Sequence, residues 1–141
     1  MAVQWLARRE HSCRELHDKL LKKGCARALA GETVKRLETE RLVSDDRFME
    51  SLIQVRRNRG YGPLRIQKEL QEKGVTAEAI ERWLDVSGRE WLEDIRRVQR
   101  KKFGARLPRN YTERARQARF LQYRGFTYDQ IQQVLNPHGQ D

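Results

Sequence analysis

The sequence lacks long apolar runs and contains few cysteines. No stretch of about 20 residues is continuously apolar, so no segment predicts a membrane-spanning helix. The two cysteines, Cys13 and Cys25, are isolated and do not have the spacing of metal ligands. The N-terminal residues do not show the positive-then-apolar pattern of a secretion signal. We therefore expect a cytoplasmic protein in which both thiols are reduced.

Residue combinations that carry catalysis are also missing. The three histidines, His11, His17 and His138, have no Cys, Ser or carboxylate partner at a meaningful spacing. Neither a P-loop nor a dinucleotide-binding glycine turn occurs. The paired Asp45 and Asp46 suit the first turn of a helix, where the helix dipole favours anions. We therefore expect no enzymatic activity and no bound metal or cofactor.

Helical periodicity is present throughout, and one pattern occurs three times. Its copies are centred on Gly24, Gly74 and Gly125, which lie 50 and 51 residues apart. A basic amphipathic stretch precedes each glycine. Glycine itself suits the left-handed conformation that ends a helix. Apolar residues recur six and ten positions beyond each glycine: Ala30 and Val34, Ile80 and Leu84, and Ile131 and Leu135. A period near 50 residues predicts an array of similar supersecondary units.

Capping signals divide each copy into three helices. Helix starts are indicated by Ser12-x-x-Glu15, Pro63, Thr76, Ser87-x-x-Glu90, Thr112 and Thr127-x-x-Gln130. The predicted helices are 2–10, 12–23, 26–43, 45–59, 63–73, 76–86, 87–103, 112–124 and 127–136. The predicted fold class is all-α, with three tandem three-helix repeats in an elongated, curved array. We place the repeats at residues 1–43, 44–86 and 87–141.

The positive charge is concentrated in one stretch, residues 96–124. This stretch holds 11 of the 30 Lys and Arg residues and a single acid, so it accounts for the whole net charge of +10. A cluster this dense favours a polyanionic partner, and solubility alone does not require clustering. The predicted basic contact surface consists of Arg96, Arg97, Arg100, Lys101, Arg116, Arg119 and Arg124.

A second basic cluster surrounds the turn Gly60-Tyr61-Gly62. It consists of Arg56, Arg57, Arg59, Arg65 and Lys68. Tyr61 has two interpretations: its ring could stack on a base, or it could simply pack at the turn. Arg65 and Lys68 could likewise pair with acids on the same helix, which would stabilise the fold little.

Four segments resemble the RecX family of bacterial regulatory proteins, and the resemblance extends over nearly the whole chain. They are ARREHSCRELHDKLLKKG (7–24), ERLVSDDRFMES (40–51), RGYGPLRIQKELQEKG (59–74) and RQARFLQYRGFTYDQIQQVL (116–135). The resemblance implies three tandem three-helix repeats, in agreement with the periodicity. It also implies binding in the groove of the RecA–DNA filament, as a negative modulator of filament extension, ATP hydrolysis, strand exchange and coprotease activity.

The predicted partners are therefore the RecA nucleoprotein filament and single- or double-stranded DNA, contacted by a monomer. An alternative is a stand-alone protein that binds single-stranded nucleic acid and competes for DNA. That alternative explains the charge but not the repeats. A third possibility, a helical-repeat adaptor for an acidic peptide, predicts one-to-one binding to a monomeric protein.

Overall fold

The computed structural model describes residues 1–137, which form nine α-helices and no strand. The all-α prediction is thereby confirmed, while His138 lies outside the described residues. The helices are α1 (Ala2–Arg8), α2 (Cys13–Lys22), α3 (Arg27–Thr39), α4 (Asp45–Asn58), α5 (Pro63–Glu72), α6 (Ala77–Trp83), α7 (Glu90–Phe103), α8 (Tyr111–Tyr123) and α9 (Tyr128–Leu135).

The helices pack into two compact units. Unit 1 contains Met1–Ile53 and Glu69–Trp83, and unit 2 contains Gln54–Lys68 and the chain from Leu84 onward. Helices α4 and α5 therefore contribute residues to both units. The predicted repeat boundaries at 43/44 and 86/87 stay a prediction.

Each unit has its own apolar core, built from the repeating positions. In unit 1, α2 packs against α3, and Leu16 and Leu20 are buried beside Ala30 and Val34. In unit 2, helices α7, α8 and α9 pack on one another. Its buried apolar side chains include Ile66, Leu84, Trp91, Ile95, Val98, Leu121, Phe126, Ile131, Val134 and Leu135. All six apolar positions that the repeat predicts beyond its glycines are buried.

The three repeat glycines end helices in the predicted left-handed conformation. Gly24, Gly74 and Gly125 have φ angles of +92°, +84° and +100°. At two of these glycines, Gly74 and Gly125, the first turn of another helix also lies close to the glycine. A Cβ on Gly74 would overlap the side chain of Arg14, and one on Gly125 would lie 2.5 Å from the Cβ of Arg65. Glycine at these two turns therefore serves both backbone conformation and packing.

Several predicted caps are present. The hydroxyls of Ser12 and Thr127 accept hydrogen bonds from the N–H groups of Glu15 and Gln130, and both sites are complete capping boxes. Thr76 accepts from the N–H of Ala79. The first repeat has no such residue at Ala26, and α3 begins without a side-chain cap.

Two predicted caps are wrong. The Ser87–Glu90 box does not form, because the Asp85 carboxylate accepts from the Ser87 N–H and holds a turn, and α7 begins only at Glu90. Thr112 does not cap α8. The Asn110 side chain takes that role and accepts from the N–H of Glu113 at 2.9 Å.

Helix α3 ends earlier than its apolar pattern predicted, at Thr39 and not at residue 43. Arg41 adopts a left-handed φ of 62°, and the N–H of Leu42 then donates to the Leu37 carbonyl at 2.8 Å. This is the geometry with which a glycine ends a helix, here adopted by an arginine. Because no glycine occurs at this position, the residue pattern does not predict the end of α3.

A buried carboxylate ties the start of α2 to the end of α5 within unit 1. Glu15, whose side chain is 9% exposed, accepts from Arg9 at 2.7 Å and from Lys73 at 3.2 Å. The Ser12 hydroxyl also donates to the Lys73 carbonyl at 2.7 Å. Burial alone would raise the pKa of Glu15, but the hydrogen bonds and charges of Arg9 and Lys73 outweigh it and lower the pKa to about 2.

This lowered pKa predicts acid sensitivity. The unfolded chain has a Glu pKa of about 4.3, so the stabilisation by Glu15 is complete at neutral pH and is lost as the pH falls from about 5 to about 2. We expect Glu15→Gln to lower the free energy of unfolding by about 2 kcal/mol at pH 7 and to change it little near pH 2. Urea unfolding followed by circular dichroism at both pH values measures this. An equal deficit at both would contradict it.

Candidate functional site

The two basic clusters, which are separate in the sequence, meet at one cleft of about 300 Å³ in unit 2. Three elements form it: the end of α4 with the following turn, one face of α7, and the end of α8. The lining residues are Asn58, Arg59, Gly60, Arg97, Val98, Lys101, Lys102, Phe120 and Arg124. We call this the basic cleft.

Helical spacing explains how the cations reach the basic cleft. Arg97 and Lys101 are four residues apart and so share one face of α7. Phe120 and Arg124 have the same spacing on α8 and at its C-cap. Arg59 lies at the end of α4, and its carbonyl accepts a hydrogen bond from Arg124 Nη1 at 3.0 Å. Through that bond the chain turn after α4 is attached to the end of α8.

The basic cleft combines apolar walls with a cationic rim. Val98 is buried and Phe120 is half-buried, whereas Arg97, Lys101 and Lys102 are exposed. Among residues 1–137, neither Lys101 nor Lys102 has an ion-pair partner, so both charges are open to a ligand. Such a site suits a ligand that has both a flat apolar part and negative charge.

Arg57, in contrast, is held inside the fold. Its Nε donates to Asp94 Oδ2 at 2.8 Å and its Nη2 donates to Oδ1 at 3.1 Å, while the guanidinium lies 5.0 Å from the centre of the Trp91 ring. The hydrogen bond to Asp94 raises the pKa of Arg57. Arg97 also donates to Asp94, at 3.2 Å. Arg57 therefore neutralises a carboxylate that is only 5% exposed and does not add to the open positive surface.

The other predicted basic residues do not line the basic cleft. Arg96 and Arg100 on α7 and Arg119 on α8 are exposed, as is Lys68 on α5. Arg56 is half-buried and engaged within the fold. Arg116 lines a second, more polar cleft of about 300 Å³, whose other walls include Lys102, Arg106 and Arg109.

Two of the lining residues that were not predicted, Lys102 and Phe120, bring a charge and an aromatic ring to the basic cleft. Lys102 belongs to the same basic run as Lys101, so its charge was a signal that could have identified it. Phe120 carries no charge, so charge clustering could not identify it. Its ring forms an edge-to-face pair with Phe103, 5.4 Å between ring centres, and lies beneath Arg124 and Lys102.

Tyr61 lies at the turn before α5, where its ring is half-buried. Both Arg65 and Arg124 place their guanidinium groups over that ring, 4.1 and 5.3 Å from its centre. The ring thus packs at the turn and also takes part in an exposed basic surface.

Within the described part of the chain, no group of three or more His, Cys, Asp or Glu side chains has an arrangement that could hold a metal ion. None of its helices combines the length and apolar composition that crossing a membrane requires.

Comparison with known proteins identifies the fold and the family. Three models match: "RecX, first three-helix domain" at residues 1–37, the second at 44–84 and the third at 89–135. The Regulatory protein RecX of Pseudomonas syringae pv. tomato is 41% identical over 140 residues, which are 99% of this chain and 90% of that protein. That of Halorhodospira halophila is 41% identical over 130 residues, covering 92% and 81%.

A solved structure agrees with the fold. The crystal structure of RecX from Lactobacillus salivarius has a TM-score of 0.81 to this chain, covering 96% of this chain and 90% of that one, at 20% sequence identity. Among the described residues, nine helices and three matched three-helix domains define an all-α protein of tandem helical domains. The chain belongs to the RecX family of regulatory proteins.

Proposed function

We propose that this protein is a negative modulator of the RecA recombinase. It binds in the groove of the RecA–DNA filament and limits filament extension, ATP hydrolysis, strand exchange and coprotease activity. It acts in the cytoplasm as a monomer, and it contacts both the filament and its DNA.

Membership of the RecX family supports the partner, and the basic cleft supports the mode of contact. The observation that carries the proposal is the convergence of Arg59, Arg97, Lys101 and Arg124 from three elements around apolar walls. Open cations beside an apolar surface fit a groove that exposes DNA phosphates and acidic protein side chains. Binding across neighbouring RecA protomers would oppose the movements that accompany ATP turnover.

The first test is ATP hydrolysis by RecA filaments on single-stranded DNA, titrated with this protein at moderate salt. We expect strong inhibition well below one molecule per RecA protomer, because a molecule in the groove restrains more than one protomer. Repeating the titration at a higher DNA concentration controls for competition. Inhibition that appears only when the protein exceeds the DNA sites would favour the alternative, a stand-alone protein that binds single strands.

A further inference from the structure

Aromatic rings and guanidinium groups alternate in a continuous row on unit 2. Arg65 lies over Tyr123 and Tyr61, 5.7 and 4.1 Å from the ring centres. Arg124 lies over Tyr61 and Phe120, at 5.3 and 5.0 Å. The order is therefore Tyr123, Arg65, Tyr61, Arg124 and Phe120. We call this the stacking row.

The two ends of the stacking row differ. Tyr123 is 76% exposed, so most of its ring surface is open to solvent. Phe120, at the other end, forms a wall of the basic cleft, where Lys102 Nζ lies 5.5 Å from its ring centre. The row thus leads from an open aromatic platform to a cleft of about 300 Å³ with cations at its rim. That volume is at the small end of ligand sites and suits one small, flat group.

We propose that the stacking row is a track for single-stranded DNA. The basic cleft takes one unpaired nucleotide, with its base against Phe120 and Val98 and its phosphate at Lys101 and Lys102. Tyr123 stacks on another base of the same strand. This inference deepens the proposed function, on which it rests for the identity of the nucleic acid as DNA.

The chemistry of the row favours a single strand over other polyanions. Aromatic and guanidinium planes stack on bases that are free of partners, and such stacking tolerates any sequence. In a duplex the bases are stacked on one another, so a duplex would contact the cations but would not stack on the rings. An acidic peptide would likewise need the positive charges without a row of flat groups.

Substitution at the open end of the stacking row tests the track with little risk to the fold. We expect Tyr123→Ala to weaken binding of a fluorescein-labelled oligothymidylate about tenfold, measured by anisotropy without RecA. Tyr128→Ala and Tyr111→Ala are matched controls, since these tyrosines of unit 2 are 75% and 78% exposed and lie outside the row. We expect them to change binding by about twofold or less.

A second variant tests the cleft itself. Phe120→Leu keeps an apolar side chain but removes the ring, and we expect about a tenfold loss for the single strand and little change for a duplex of equal length. Circular dichroism of the variant is the control for folding.

An oligonucleotide carrying 5-iodouracil should crosslink at Phe120 or Tyr123 on irradiation, with the site located by mass spectrometry.

The outcomes are separable from those of the proposed function. Wild-type affinity in both Tyr123→Ala and Phe120→Leu, or equal losses for single strand and duplex, would overturn the track while leaving RecA inhibition intact. Crosslinking at the row in a protein that does not inhibit RecA would support the track and overturn the proposed function. Binding of an acidic peptide in place of the oligonucleotide would overturn the track in favour of a protein ligand.

Discussion

Reversing both charges in Lys101→Glu/Lys102→Glu should raise the concentration needed to inhibit RecA filaments about 100-fold, or about 2.7 kcal/mol. Both lysines are exposed in the last turn of α7 and line the basic cleft. Each reversal removes a favourable interaction with a phosphate or carboxylate and adds repulsion. The dependence of binding on salt should also become shallower, by about one power of salt for each phosphate that the variant no longer neutralises.

The chain offers a closely matched control in Lys22→Glu/Lys23→Glu. These adjacent, exposed lysines lie at the C-terminus of α2 in unit 1, so the change in net charge and the unfavourable interaction with the helix dipole are the same. We expect this variant to inhibit nearly as well as wild type. Equal losses in the two variants would mean that net charge, and not the basic cleft, determines inhibition.

Arg97 is a poorer choice for this experiment, although it lines the same cleft. Its guanidinium donates to Asp94, a carboxylate that is only 5% exposed. Reversing Arg97 would place a second carboxylate beside the first and destabilise unit 2. Any loss of inhibition could then result either from the missing positive charge in the basic cleft or from the lower stability of unit 2.

Local features of this fold were predictable from the sequence, because glycine and capping residues act through short-range geometry. The left-handed turns at Gly24, Gly74 and Gly125 and the cap at Ser12 are present as predicted. The early end of α3 was not predictable, because Arg41 adopts a conformation that its residue type disfavours.

The basic cleft itself was only partly predictable. Charge clustering identified Arg97, Lys101, Arg59 and Arg124 as candidates. It did not predict that they line one cleft. Their meeting depends on contacts between residues far apart in sequence, which no local pattern encodes. The same limit applies to Arg57, because its partner Asp94 lies 37 residues away and removes it from the open surface.

Besides the hydrogen bond from the Arg124 side chain to the Arg59 carbonyl, two hydrogen bonds between backbone groups join the turn after α4 to the end of α8. The Gly62 N–H donates to the Arg124 carbonyl at 2.7 Å, and the Leu64 N–H donates to the Gly125 carbonyl at 2.9 Å. Gly62 directly precedes α5 and has no side chain to cap it, so the Gly125 carbonyl satisfies a first-turn N–H instead. The close approach depends on the absence of a Cβ at Gly62.

Gly62→Ala should therefore lower the free energy of unfolding by about 3 kcal/mol. The added Cβ would lie 2.6 Å from the carbonyl group of Gly125 and from the N–H nitrogen of Phe126, and backbone atoms cannot move aside as a flexible side chain can. The turns must separate, which weakens both hydrogen bonds and moves Arg124 away from Arg59. Urea unfolding measures the loss, and oligonucleotide binding should weaken with it.

Gly31→Ala is the matched control for this substitution. Gly31 lies within α3, and a Cβ there would meet nothing within 4 Å. Alanine restricts the unfolded chain and favours the helix, so we expect a gain of about 0.5 to 1 kcal/mol. The same chemical change then alters the free energy of unfolding in opposite directions at the two positions. A neutral Gly62→Ala would show that the two turns do not need backbone contact, and that the basic cleft is held together by its side chains alone.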